Sequence, residues 1–200
     1  MALKITRAKL PLKTGGHPEI ATFYGLEGDD GRDHFALIFK SKDNFTGVPL
    51  IRIHSECITG DALGSLRCDC GEQLKEALRI FSETGGILLY LRQEGRGIGL
   101  RAKIEAYLLQ ETGVDTYSAN ALLGHPEDAR EYNIAAQMLR ALGILTVRLL
   151  TNNPEKIENL RKLGIEVSGQ VLTTEHENPL NKAYLDAKHS RATAFIENNY

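Results

Sequence analysis

The sequence predicts an α/β (α+β) fold, with a β-rich portion over about residues 1–56 and alternating helix and strand over about 57–200. Three observations predict it. Short apolar runs separated by turn-rich stretches fill the first fifty residues, apolar residues recur at helical spacing after residue 71, and Gly or Asn-Pro marks most changes of period. With 42% hydrophobic and 25% charged residues, a 200-residue chain can bury a substantial core without disulfide staples, so one domain spanning 1–200 is expected.

The elements follow in order. "IATFYGL", "HFALIFK" and "VPLIRIH" lie among the turn stretches "KTGGHPE", "EGDDGRDH" and "KSKDNFTG", and read as strands of a mainly antiparallel sheet or small barrel. In "GEQLKEALRIFSETGG", Leu74, Ala77, Leu78 and Phe81 share one helix face, and Gly85-Gly86 ends the helix. "GILLYL" reads as a buried strand and "RQEGRGIGL" as a loop. "RAKIEAYLLQETG" reads as a helix with Ile104, Tyr107 and Leu108 on one side. "EDAREYNIAAQMLRALG" is a further helix, "ILTVRLL" a strand, and "NPEKIENLRKLG" a helix with Asn153 as N-cap and Pro154 in its first turn. "IEVSGQVLT" is the last strand, and a helix from about Pro179 closes the chain. The alternation over 71–171 predicts parallel pairing.

Charge and hydropathy exclude several classes. A net charge of -2 supplies no basic field for nucleic acid. No run approaches the ~18 apolar residues of a membrane span, and "MALKITRAKLPLKT" lacks the apolar centre of a secretory signal. A cytoplasmic protein with no membrane or nucleic-acid partner is expected, and an odd number of cysteines argues against a disulfide framework.

All three cysteines fall in "HSECITGDALGSLRCDCGEQL", as Cys57, Cys68 and Cys70. Three thiolates converging on one Zn²⁺ would leave a fourth position open, the mark of a catalytic site. Three thiols packed as small hydrophobes are the alternative, and His54 is a further ligand or a strand-end histidine. In "YLRQEGRGIGL", glycines 95, 97 and 99 between strand and helix, with Arg92, Arg96 and Arg101, suit a phosphate as well as a solvated turn. "LLTNNPEK" offers a helix start with Lys156, an anion site or a plain cap. "GHPEDAREY" places Asp128 and Arg130 near a helix start, where an acid ordinarily complements the helix dipole. Two residues apart on a regular helix, they would point in different directions.

Together, "RIHSECITGDALGSLRCDCG", "LYLRQEGRGIGL", "KIEAY", "GVDTYSAN", "DAREY" and "LLTNNPEK" resemble GTP cyclohydrolase II, in order from about residue 50 to 165. The first 45 residues carry little of the motif. The resemblance implies GTP hydrolysis to 2,5-diamino-6-ribosylamino-4(3H)-pyrimidinone 5′-phosphate, formate and pyrophosphate, at the start of riboflavin synthesis. It implies zinc on Cys57, Cys68 and Cys70, with a zinc-activated water attacking C8 of the purine. Tyr107 would orient water or transfer a proton. Arg130 would act as nucleophile toward the α-phosphate with Asp128 as proton acceptor, or as an electrostatic stabiliser with water attacking. GTP would be bound by Arg52, Ile53, His54, Ser55, Glu56, Gln73, Glu94, Gly95, Arg96, Thr116, Thr151 and Lys156, with Glu94 accepting from the guanine edge. Mg²⁺ would accompany the triphosphate, and the protein would be a homodimer. Many relatives carry a fused dihydroxybutanone phosphate synthase domain, for which 200 residues leave no room, so a stand-alone form is expected. The rival readings are a paralogue that opens the ring but retains the formyl group, and a non-catalytic zinc and nucleotide-binding protein.

Overall fold

A computed structural model describes residues 3–13, 15–28, 31–40, 47–126 and 128–199. The chain divides into two compact units, each built from three separate segments. Unit 1 is Met1–His54, Leu74–Arg92 and Tyr132–Thr174; unit 2 is Ser55–Gln73, Gln93–Glu131 and Glu175–Tyr200.

Unit 1 holds one seven-stranded sheet. Its strands are β1 (Lys4–Lys9), β2 (Glu19–Tyr24), β3 (Phe35–Phe39), β4 (Leu50–Ser55), β5 (Gly86–Leu91), β6 (Thr146–Leu150) and β7 (Glu166–Val171), in the order β1-β2-β3-β5-β4-β6-β7. β1, β2, β3 and β5 pair antiparallel in sequence, whereas β6 runs parallel to both β4 and β7. The expected N-terminal antiparallel strands are therefore present, but in the same sheet as the later ones and not in a separate barrel. The predicted parallel pairing is present at β6, whereas β5 pairs antiparallel with β3. β1 escaped the sequence reading because "KITRAK" is exposed along most of its length and lacks alternation.

Period-2 alternation sends the strand side chains to opposite faces. Ile87, Leu89 and Leu91 of β5 join Ile51, Ile53, Val147 and Leu149 in one core. That core is covered by Ile134, Ala135, Met138 and Leu139 of α5 (Asn133–Ala141) and by Leu160 of α6 (Pro154–Lys162). Leu37, Phe39, Leu88 and Leu150 point the other way, against Ala77 and Phe81 of α2 (Cys70–Thr84). Phe81 is fully buried, with its ring centroid 6.1 Å from that of Phe39. Phe81→Ala is expected to cost about 3–5 kcal/mol of stability, read as a fall in the urea midpoint of unfolding. At α6, Asn153 accepts from Glu155 N at 2.8 Å and Pro154 opens the helix, as the sequence predicts.

Unit 2 is helical: α1 (Ile58–Asp61), the first turn of α2, a tight turn at Glu94–Gly97, α3 (Gly99–Glu111), α4 (Thr116–Leu122) and α7 (Lys182–Asn199). One expectation is corrected. The helix predicted across "EDAREYNIAAQ" begins only at Asn133, with Asp128–Tyr132 outside any helix. On α3 the buried positions are Ala102 and Ala106, whereas Ile104 and Leu108 are 44% and 61% exposed. The last helix starts at Lys182, slightly later than expected.

Candidate active site

Unit 2 gathers the three thiols by close backbone approach. A Cβ on Gly71 would lie 2.3 Å from the Gly60 carbonyl oxygen, and one on Gly60 would lie 3.0 Å from Cys68 Sγ. Glycine at both positions is what lets the start of α2 sit against α1. Asp61 accepts from Cys57 N at 3.0 Å and fixes the approach to α1. The three Sγ atoms then lie within 4.8 Å of one another, forming a group able to hold a metal ion. Cys57 and Cys68 stand 3.6 Å apart, far beyond the ~2.05 Å of a disulfide.

The charge around the thiols is uneven. Hydrogen bonds from Cys68 and Cys70, with the charge of Lys103, hold Cys57 well below the usual thiol range. Its hydrogen bond with Cys57 pushes Cys68 up to about 11, and Cys70 also lies well above its usual value for the same reason, with burial adding to it. Lys103 Nζ donates to Cys57 Sγ at 3.1 Å, to Thr59 Oγ1 at 2.8 Å and to Glu94 Oε1 at 2.8 Å. Burial alone would lower the Lys103 pKa, but the Cys57 charge and Glu94 outweigh it and the ammonium is favoured. Glu94 also accepts from Gly95 N at 2.8 Å and from Ile58 N at 2.5 Å. Both oxygens of this buried carboxylate are thus engaged by protein donors, which makes it the organiser of the Lys103 and α1 geometry.

Tyr107 lies on α3 one turn beyond Lys103, with Arg67 Cζ 4.7 Å and Lys103 Nζ 5.7 Å from its ring centroid. Burial raises its phenol above the ordinary value despite a Thr59 hydrogen bond and the Lys103 charge, so it stays a proton donor at neutral pH. Asp128 and Arg130 meet because their segment is not helical. Arg130 Nε donates to Asp128 Oδ1 at 2.9 Å, and Arg130 Nη2 donates to Oδ2. Burial would raise the Asp128 pKa, but the Arg130 hydrogen bonds and charge more than reverse this, so it falls below the usual value. Its contribution to stability is therefore present above the ordinary carboxylate pKa and lost only as pH falls through the lower folded value. Asp128 is expected to produce no acid limb in the pH–rate profile above about pH 5. Asp128→Asn should lower activity while leaving the position of any such limb where it is in the wild type.

The three thiols, Glu94, Lys103, Tyr107 and Arg130 share one open cavity, which Arg96 also lines. Ser55, Glu56 and Gly95 line it as well, and Ser55 Oγ is enclosed with no hydrogen-bond partner among the described residues. Gln73 is buried and donates to Asp69 Oδ2 at 2.6 Å. Thr116 opens α4, with its side chain outside the described residues. Arg101 stays at the surface with Glu105, at 3.5 Å.

The remaining expected residues belong to unit 1. Lys156 Nζ donates to the Ile53 carbonyl at 2.8 Å, and Arg52 Nη1 to that of Leu150 at 3.4 Å. Thr151 Oγ1 accepts from Asn153 N at 3.0 Å. His54 stacks on Tyr90, with ring centroids 5.4 Å apart, and is not among the metal-ligating group. Sequence reasoning missed Lys103, although its i,i+4 spacing to Tyr107 within "KIEAY" is the signal that could have found it. It also missed Arg67 and Tyr184, which line the same cavity.

Fold and cavity together define an enzyme whose centre presents clustered thiols and cations to its substrate. A sequence model of the family described as GTP cyclohydrolase II matches residues 3–172, so the resemblance extends through the N-terminal strands. The GTP cyclohydrolase-2 of Vibrio vulnificus (strain CMCP6) is 53% identical over 186 residues, covering 91% of this chain and 93% of that protein. That of Vibrio cholerae serotype O1 is 51% identical with the same coverage. That of Pasteurella multocida (strain Pm70) is 46% identical over 98% of this chain and 89% of that protein. The chain belongs to the GTP cyclohydrolase II family and is a hydrolase.

Proposed function

We propose that this protein hydrolyses GTP, opening the imidazole ring and releasing formate and pyrophosphate. The product is then 2,5-diamino-6-ribosylamino-4(3H)-pyrimidinone 5′-phosphate, the first step of riboflavin biosynthesis, with residues 1–200 acting as one functional domain. The observation that carries this reading is the convergence of three thiols, Tyr107 and Arg130, itself paired with Asp128, on one cavity, in a chain about half identical to GTP cyclohydrolases.

The donor set fits zinc. A Zn–S bond of ~2.3 Å in a tetrahedral site places sulfurs about 3.8 Å apart, and Cys57 and Cys68 stand at 3.6 Å. Zinc held by Cys57, Cys68 and Cys70 supplies Lewis acidity that lowers the pKa of water. Lys103 steadies the Cys57 thiolate. Tyr107 donates a proton toward the opening ring, and its loss should suppress formate release more than pyrophosphate release. Thus Tyr107→Phe is expected to accumulate ring-opened, formyl-bearing product, visible by mass spectrometry.

At the phosphates, Arg130 acts as an electrostatic stabiliser. An Asp128 carboxylate below its usual pKa is a poor base for a guanidinium, which stays protonated in proteins. That mismatch makes a neutral arginine nucleophile the harder route. Arg96, Ser55, Glu56, Gly95, Gln73 and Thr116 contribute to GTP binding from unit 2. Mg²⁺ accompanies the triphosphate. Three free thiols suit the cytoplasm. Leu100, Ile104 and Leu108 form an exposed apolar stripe at i,i+4,i+8 on α3, which supports a homodimer.

The test is one incubation of protein of known zinc content with GTP and Mg²⁺, following formate and pyrophosphate together. Equal amounts of both support the full reaction. Ring opening without formate means the formyl-retaining paralogue, and bound but unchanged GTP means a non-catalytic binding protein.

A further inference from the structure

The match to the family's sequence model ends at residue 172, before α7 begins at Lys182. Yet α7 sends a side chain into the cavity: Tyr184 lines it, with the Arg96 guanidinium 5.5 Å from its ring centroid. That distance lies inside the ~6 Å reach of a cation–π contact. Arg96 also has φ +59°, a left-handed conformation that non-glycine residues adopt only when held. Its carbonyl accepts from Ala129 N at 2.9 Å, which fixes the backbone against the loop carrying Asp128 and Arg130. The backbone is thus held from one side and the guanidinium from another.

α7 is firmly anchored at the end that carries Tyr184. Asn181 is fully buried, accepts from Asn178 N at 2.8 Å and donates to the His176 carbonyl at 2.8 Å. Leu185 is buried beside it. One turn further on, Lys188 Nζ lies 3.4 Å from Oδ2 of Asp69, which is buried between the two cysteines of the α2 start.

We propose that Tyr184 of α7 is a positioning residue of the active site, whose ring holds the Arg96 guanidinium in the cavity to receive an anionic group of the substrate. An arginine side chain otherwise loses substantial rotamer freedom on binding, and the aromatic face removes part of that loss in advance. The inference rests on the GTP-hydrolysing reading given above.

The test uses the full chain and steady-state turnover of GTP. Tyr184→Met keeps bulk and removes the ring face. It should raise KM by about tenfold and lower kcat by less than about threefold, the range of a desolvated cation–π contact. Adding Tyr184→Met to Arg96→Met should cost little beyond Arg96→Met alone. Effects that simply multiply, or an unmoved KM, overturn the inference. Pentafluorophenylalanine at position 184 supplies the same test without loss of packing, whether or not Tyr184→Met folds. It has nearly the shape of phenylalanine with the charge of the ring face reversed, so KM should rise relative to Tyr184→Phe, and equal values overturn the inference. A wild type that does not consume GTP would overturn the functional reading instead. Calorimetry with inorganic pyrophosphate then decides: the inference stands if the pentafluoro variant binds more weakly than Tyr184→Phe and falls if the two are equal.

Discussion

Cys68→Ser is expected to leave the protein folded, free of zinc, and slower in formate release by on the order of a thousandfold. The magnitude follows from removing several kcal/mol of Lewis-acid stabilisation, at ~1.4 kcal/mol per factor of ten. Cys68 is the informative position because its thiol is only partly buried and is in hydrogen-bond contact with Cys57. The sheet cores of unit 1 contain no atom of it, so the circular-dichroism spectrum and urea midpoint should stay close to wild type. Serine keeps the size but is a far weaker zinc ligand at neutral pH than a thiolate. Zinc content by mass spectrometry of the metal, beside formate release, checks the prediction. A variant that retained both would remove the thiol group from the mechanism.

The second large effect is expected at Arg130. Arg130→Ala should lower pyrophosphate release by about 10³-fold or more, the scale of an arginine that stabilises charge on a transferring phosphoryl group. Arg130→Lys should recover only a small part of this. Lysine keeps the charge but not the two-pronged contact through Nε and Nη2 that now locks the guanidinium to Asp128. Because the arginine acts here as a cation, rapid quenching during turnover should reveal no phosphoramidate on residue 130 by mass spectrometry. A phosphorylated Arg130 appearing at a competent rate would restore the covalent reading and give Asp128 back its role as base.

The thiol cluster was legible because its ligands are chemically conspicuous and lie within one short stretch. The Asp128–Arg130 pair was legible as a motif but not as a geometry. Its helix-favouring residues suggested a helix start, whereas the segment is spent on backbone pairing between Ala129 and Arg96. That irregular path brings the acid and the guanidinium side by side. Strand order was hidden for a different reason. β5 inserts between β3 and β4, and no local pattern records which distant strand a buried run will pair with. Lys103 and Tyr184 were missed because each reads as an ordinary helical residue until contacts far along the chain give it a partner.

The interleaving of the two units has a consequence for how the enzyme is made. The chain alternates between them segment by segment, and unit 2 receives its last segment from Glu175 onward. On the ribosome, Cys57, Cys68 and Cys70 emerge early, but the cavity wall that contains Tyr184 is still unmade when all seven strands have been synthesised. Neither unit can be inherited, exchanged or fused as one contiguous cassette.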